Sequence, residues 1–150
     1  MQIYDGANDK KAKITSHTVT VVSANQIKCS STDMMTIRKN GRTDWSLFYC
    51  ENGCLYFEDK ILKAGQIWIY PPKIPQKYKM FSDDKTVYRY LHFTGSDVFG
   101  LLDSLNICLS TAIDVKKQSL SNIFDLIQDS LSDDSGISVL RAEYHTLRLI

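Results

Sequence analysis

Histidine is scarce in this 150-residue chain: His17, His92 and His145 lie on distant segments. A zinc or transition-metal site needs several imidazoles, thiolates or carboxylates that converge, so no metal centre and no cofactor are expected. A dominant charge sign is missing too. Eighteen Lys and Arg against seventeen Asp and Glu leave a net charge of +1, too little to track phosphates. No apolar run approaches the roughly 20 residues of a membrane span. The N-terminus stays polar through Lys13 and lacks a signal-peptide core, so a cytoplasmic protein is the expectation. Nothing pairs a nucleophile with an adjacent base. Gly95 and Gly100 stand alone, outside any phosphate-cradling loop. Repeats and low-complexity stretches are absent.

Four cysteines, Cys29, Cys50, Cys54 and Cys108, allow two disulfides or a thiolate site on count alone. If Asn52 and Gly53 form a two-residue hairpin turn, Cys50 lies opposite Leu55 and Cys54 opposite Glu51. The two thiols then point to opposite faces, and free, mostly buried thiols are expected. The basic groups Lys10, Lys11 and Lys13, and Arg38, Lys39 and Arg42, read as solvated surface.

What the chain does carry is β-pattern first and helix pattern last. Residues 1–13 read as a polar arm. Residues 14–22 form a strand by their β-branched content, with shorter strands at 27–29 and 34–38. Residues 45–50 and 54–58 read as a hairpin closed by Asn52 and Gly53. Phe48, Cys50, Leu55 and Phe57 fall on one face, and Trp45, Leu47, Tyr49 and Tyr56 on the other. Both faces are apolar, so both are expected to be covered. Asp59 and Lys60 make a second turn. After Gly65 comes a strand from Ile67, ended by Pro71 and Pro72, which cannot donate to a ladder. Pro75 stiffens the corner before a returning strand at 77–81. On residues 87–93, Tyr88, Tyr90 and His92 share one face, while Arg89, Leu91 and Phe93 share the other.

Residues 96–105 have helical spacing behind a Ser96 or Thr94 cap, and residues 107–109 read as a short extended piece. In residues 119–131, Leu120, Ile123, Phe124, Ile127 and Leu131 form one stripe. After a break at 133–136, residues 138–150 repeat helical spacing through Leu140, Tyr144 and Leu147. This last helix ends uncapped on apolar residues, which suggests a piece of a longer chain. The residues alone thus predict one domain, a mainly β barrel with a helical tail.

Arg38 to Trp45, Ser46 to Gly53, Cys54 to Phe57, Gly65 to Tyr78 and Tyr88 to Gly95 follow one another at informative spacings. In that order the chain resembles the N-terminal effector-binding and dimerisation domain of AraC-type transcriptional regulators, a cupin-like barrel. The resemblance is good over roughly residues 35–105. It implies a double-stranded β-helix, or jelly-roll barrel, over residues 14–93. Mostly helical residues 96–150 would then serve dimerisation, and the helix-turn-helix DNA-binding domain would lie outside this chain.

The resemblance also implies a small polar effector, a sugar being the first candidate, held by Arg38, Tyr78, Tyr88 and Tyr90. The arm before Lys13 would act as a lid. Guanidinium and phenol groups hydrogen-bond hydroxyls or carboxylates, and the rings stack. Each tyrosine taken singly also reads as core packing with its hydroxyl satisfied. Where related regulators often keep a histidine after the proline corner, this chain has Gln76. The histidine pair of the first cupin motif, expected after Trp45, is absent, which counts against the alternative of a small cupin isomerase or oxygenase. A carbohydrate-binding jelly roll is the other alternative, and the apolar helix pair argues against it. Homodimerisation is expected through Leu140, Tyr144 and Leu147, or else through the stripe of residues 119–131. Specific DNA binding by this chain alone is not expected.

Overall fold

A computed structural model describes residues 1–6, 9, 19–115, 117–133 and 135–150, the side chains of residues 117–119, 136 and 140 excepted. Among the described residues there are ten strands: β1 Gln2–Tyr4, β2 Thr20–Lys28, β3 Met34–Arg38, β4 Trp45–Asn52, β5 Cys54–Phe57, β6 Ile61–Lys63, β7 Gln66–Tyr70, β8 Gln76–Met80, β9 Val87–Thr94 and β10 Ile113–Asp114. Three α-helices, α1 Val98–Ser104, α2 Lys117–Leu131 and α3 Gly136–Leu149, and a 3-10 turn at Ser82–Asp84 accompany them. The strands form two five-stranded sheets, ordered β1-β3-β8-β5-β6 and β10-β7-β4-β9-β2. All pairs are antiparallel except β1 with β3. The fold is therefore mainly β with C-terminal helices. Among the described residues no ladder closes the two sheets into a barrel; apolar packing joins them instead.

Alternation along the second sheet builds two cores. Phe48, Cys50, Trp68, Tyr70 and Tyr88 turn toward the first sheet and meet Leu55, Phe57, Leu62, Tyr78 and Met80. On the opposite face, Leu47, Tyr49, Ile69, Leu91 and Phe93 meet Leu102 of α1, Ile123, Phe124 and Ile127 of α2, and Leu149 of α3. The molecule is thus layered as sheet, sheet, helices. Burying each such large apolar side chain contributes roughly 1.5–3 kcal/mol before entropy is counted. The α2 stripe is used here: Ile123, Phe124 and Ile127 are buried against the second sheet. Leu120 packs against the same core, and Leu131 at the end of the stripe is exposed.

Several expectations need correction. Residues 45–50 and 54–58 are not a hairpin, and only one predicted face holds. Phe48, Cys50, Leu55 and Phe57 share a core, but Tyr56 parts from Trp45, Leu47 and Tyr49 and lies half-buried against Phe81. Both edges of β4 are occupied, by β7 and β9, whereas β5 pairs with β6 and β8. The chain changes sheets at Gly53, whose φ of +71° suits glycine and where a Cβ would lie 2.5 Å from the Asp84 carbonyl oxygen. Thr86 secures the crossing, its hydroxyl accepting from the Cys54 N–H and donating to the Cys54 carbonyl. The tight hairpin is the next one, β5–β6, where the Phe57 N–H donates to the Lys60 carbonyl at 2.9 Å.

The cysteines are free, yet only Cys50 is buried; Cys29 and Cys54 are half-buried and Cys108 is exposed. Helix α1 is capped by Asp97, which accepts from the Gly100 N–H at 3.0 Å, because Thr94 is still paired in β9 with Thr20. Residues 107–109 are not a strand, and the short edge strand is β10, with Ile113 opposite Ile67. The strand expected at 14–22 falls partly outside the described residues. What is described is one long strand, Thr20–Lys28, that takes in the first two residues of the piece expected at 27–29. The arm is not wholly irregular, since Gln2–Tyr4 forms an edge strand.

Candidate ligand-binding site

A cavity of about 750 Å³ lies between one edge of each sheet, where β1, β3 and β8 face β2 and β9. The period-2 alternation of β9 turns Tyr88, Tyr90 and His92 into it, and β3 and β8 supply Arg38 and Tyr78. Arg38, Tyr78, Tyr88 and Tyr90, singled out from the sequence, therefore line one cavity. Away from the polar end at Arg38 and Arg42 the wall is mixed, with Ala24, Ile27 and Met34 beside the polar Ser23, Asn25 and Thr36.

The polar end is built on two buried guanidiniums. Arg38 donates through Nη1 to the Tyr78 hydroxyl at 3.2 Å and to Gln76 Oε1 at 3.4 Å. It also meets Asp9 through Nε and Nη2. Arg42 forms a two-point pair with Asp44, which is wholly buried, and its Nη1 lies 3.1 Å from Asp9 Oδ2. The reading of Arg38 and Arg42 as solvated surface is thereby corrected, and only Lys39 of that group is exposed. A charge is buried when it finds a partner, and Asp9 and Asp44 provide it. The other basic group, Lys10, Lys11 and Lys13, lies outside the described residues.

Burial alone would depress the Arg38 guanidinium, but Tyr78 and Asp9 more than offset it and hold it firmly charged. Burial would likewise raise Asp9, and hydrogen bonds from Arg38 and Tyr4 bring it below the usual carboxylate range. Tyr88 and Tyr90 are pushed up chiefly by burial, so both phenols stay neutral donors. Burial, reinforced by Arg42 and Arg38, pushes His92 down to about 3. Its imidazole is neutral, with Nδ1 3.1 Å from Ser46 Oγ. Gln76 is also wholly buried and is a structural link, accepting from Arg38 and donating to Ser46. Asp9 and Asp44 balance the two guanidiniums, so the polar end as it stands carries two paired cations and a neutral imidazole.

Sequence reasoning missed Asp9 and Arg42 as members of this site, while Gln76, noted there in place of a family histidine, lies behind the lining as a partner of Arg38. The arm gave no signal for Asp9. Arg42 had one faint signal, its spacing of two residues from Asp44 across Thr43. Of the expected dimer residues, Tyr144 and Leu147 are exposed on α3, and the side chain of Leu140 lies outside the described residues. Ile137, one helical heptad before Tyr144, is exposed as well.

No protein-family model matches the sequence, and no curated protein sequence is similar to it. The fold is similar to that of solved ToxT structures from Vibrio cholerae. Apo ToxT K231A from strain SCE256 matches with a TM-score of 0.53 at 12% identity, over 90% of this chain and 56% of that one. ToxT from strain O395 bound to (E)-4-(8-methylnaphthalen-1-yl)but-3-enoic acid matches with a TM-score of 0.52 at 12% identity, over 85% and 55%. The chain spans little more than half the length of the ToxT chains it matches, and at this identity the likeness is one of fold.

Proposed function

We propose that this chain is the ligand-sensing and dimerisation domain of an AraC-type transcriptional regulator, its two sheets being a cupin-like double-stranded β-helix. It takes a small molecule among Arg38, Tyr78, Tyr88 and Tyr90 and pairs with a second copy through α3. DNA is contacted by a helix-turn-helix segment outside this chain, in the cytoplasm. The likeness to ToxT, an AraC-family regulator, supports the reading. The observation that carries it is the cavity itself, with two buried guanidiniums at one end and tyrosines and aliphatic side chains among the lining of the rest.

That chemistry favours an organic acid with an apolar body over the sugar first suggested. A sugar offers neutral hydroxyls to groups that are fully charged, whereas a carboxylate matches both arginines and leaves its body against Tyr88, Tyr90 and Met34. The arylbutenoic acid held by ToxT has this form. An enzymatic role finds little support: the one hydroxyl beside the neutral His92 imidazole, Ser46 Oγ, is wholly buried and does not line the cavity. Among the described residues no helix is long and apolar enough to cross a membrane.

Calorimetric titration of the chain with that acid and with arabinose tests the proposal. The acid is expected to bind and arabinose is not. Tyr90→Ala should weaken binding by about 1–3 kcal/mol through lost contact and an unpaired group, and Arg38→Ala by at least as much. An affinity indifferent to both substitutions would mean that the pocket is wrong.

A further inference from the structure

We propose that Asp9 is a displaceable occupant of the ligand's own anion site, an internal carboxylate that a carboxylate ligand expels from Arg38 and Arg42. The inference rests on the ligand-sensing reading above and adds how that site is regulated. Asp9 lines the same cavity. Its Oδ2 meets Arg38 Nε and Arg42 Nη1, and its Oδ1 accepts from Arg38 Nη2 at 3.2 Å and from the Tyr4 hydroxyl at 2.7 Å. This two-oxygen grip on guanidinium nitrogens is what an incoming carboxylate would make.

The two arginines are not equivalent. Arg42 keeps Asp44 whatever Asp9 does. The other partners of Arg38, Gln76 and Tyr78, are neutral. Removing Asp9 therefore leaves a buried cation that calls for an anion, and a ligand carboxylate supplies one.

Among the described residues of the arm that carries Asp9, Tyr4 and Gly6 also touch Arg38. Tyr4 lies under Arg38, with the guanidinium carbon 5.3 Å from its ring centre. Gly6, at φ +78°, brings the backbone so close that a Cβ there would lie 2.8 Å from Arg38 Cγ. Strand β1 is three exposed residues at a sheet edge, the kind of element that opens at little cost. Ligand and arm then compete for one site, and the apparent affinity of the ligand is lowered by the fraction of chains in which Asp9 is seated.

The test titrates the 150-residue chain with (E)-4-(8-methylnaphthalen-1-yl)but-3-enoic acid and with the corresponding primary alcohol. Asp9→Asn should bind the acid at least tenfold more tightly than wild type, with no change for the alcohol. Arg38→Met should abolish acid binding with or without the Asp9 change. Equal or weaker acid binding by Asp9→Asn would overturn the role of Asp9 and leave the cavity reading standing. Acid binding that ignores Arg38→Met, or none at all, would sink that reading and this inference together. A measurement on wild type is independent of variant folding. Saturating acid should speed hydrogen exchange at the β1 backbone amides, and unchanged or slower exchange overturns the proposal.

Discussion

Arg89 Nη1 lies 2.6 Å from Asp125 Oδ1, and this contact ties the cavity strand β9 to helix α2. Arg89 also donates through Nε to Glu51 at 2.7 Å, and Ser121 of α2 donates to the same carboxylate oxygen. Its chain neighbours, Tyr88 and Tyr90, line the cavity on the opposite face of the strand. Arg89→Ala leaves Glu51 short of its main partner in a half-buried setting. A loss of about 1–3 kcal/mol in urea unfolding is expected, with Arg89→Lys recovering part, because an ammonium cannot reproduce the fork. An unchanged unfolding midpoint for Arg89→Ala would refute this.

Acid should weaken the fold from an unusually high pH. His92 is pushed down to about 3 in the folded chain by burial and by Arg42 and Arg38, against about 6.5 when unfolded. Between those values the unfolded chain binds the extra proton, so stability falls as pH drops below about 6.5. Asp9 and Glu51 are depressed by hydrogen bonds that outweigh their burial. Their stabilisation is lost further down, as pH falls below the ordinary carboxylate range of about 4. Melting temperature against pH should therefore decline in two stages, and His92→Gln should flatten the first. A wild-type profile flat from pH 7 to 5 would contradict the assignment.

Asp44 has no solvent exposure and holds Arg42 through two nitrogens. Asp44→Ala strands a buried guanidinium, and removing one partner of a buried pair costs about 3–5 kcal/mol. Denaturant unfolding measures this directly, and a cost under about 1 kcal/mol would indicate that Arg42 reaches solvent.

The exposed face of α3 and the buried face of α2 should respond oppositely to charge. Tyr144→Glu with Leu147→Glu alters exposed positions and should leave the melting temperature nearly unchanged while abolishing self-association in sedimentation equilibrium. Ile127→Asp places a charge in the helix–sheet core and should prevent folding. Wild type that stays monomeric at high concentration would remove the dimer from the proposal.

The strands and helices were legible where a local period carries the signal. The alternation of β9 and the 3-and-4 spacing of α2 gave both the element and its buried face, because one residue step decides which side a group takes. Partnership was less legible. Asn52 and Gly53 announce a turn, but whether the next strand folds back depends on β7 and β9 already occupying both edges of β4. Arg42 looked like surface because its burial depends on Asp44 and on Asp9, far away in the chain. Arg38, Tyr78, Tyr88 and Tyr90 were found together through a family resemblance, while the carboxylate among them left no trace in any pattern.

The central place of β4 bears on the order in which the protein can assemble. Its two neighbours, β7 and β9, are both made later than β4 itself. During synthesis β4 therefore waits with two bare hydrogen-bonding edges until β7 is made, and with one until the ribosome has passed Thr94. Such long-range closure is slow compared with hairpin formation. A chain halted before β9 keeps one of those edges open, and an open apolar edge recruits other chains. Truncated forms ending between β8 and β9 should for that reason accumulate as aggregates, where the whole chain stays in solution.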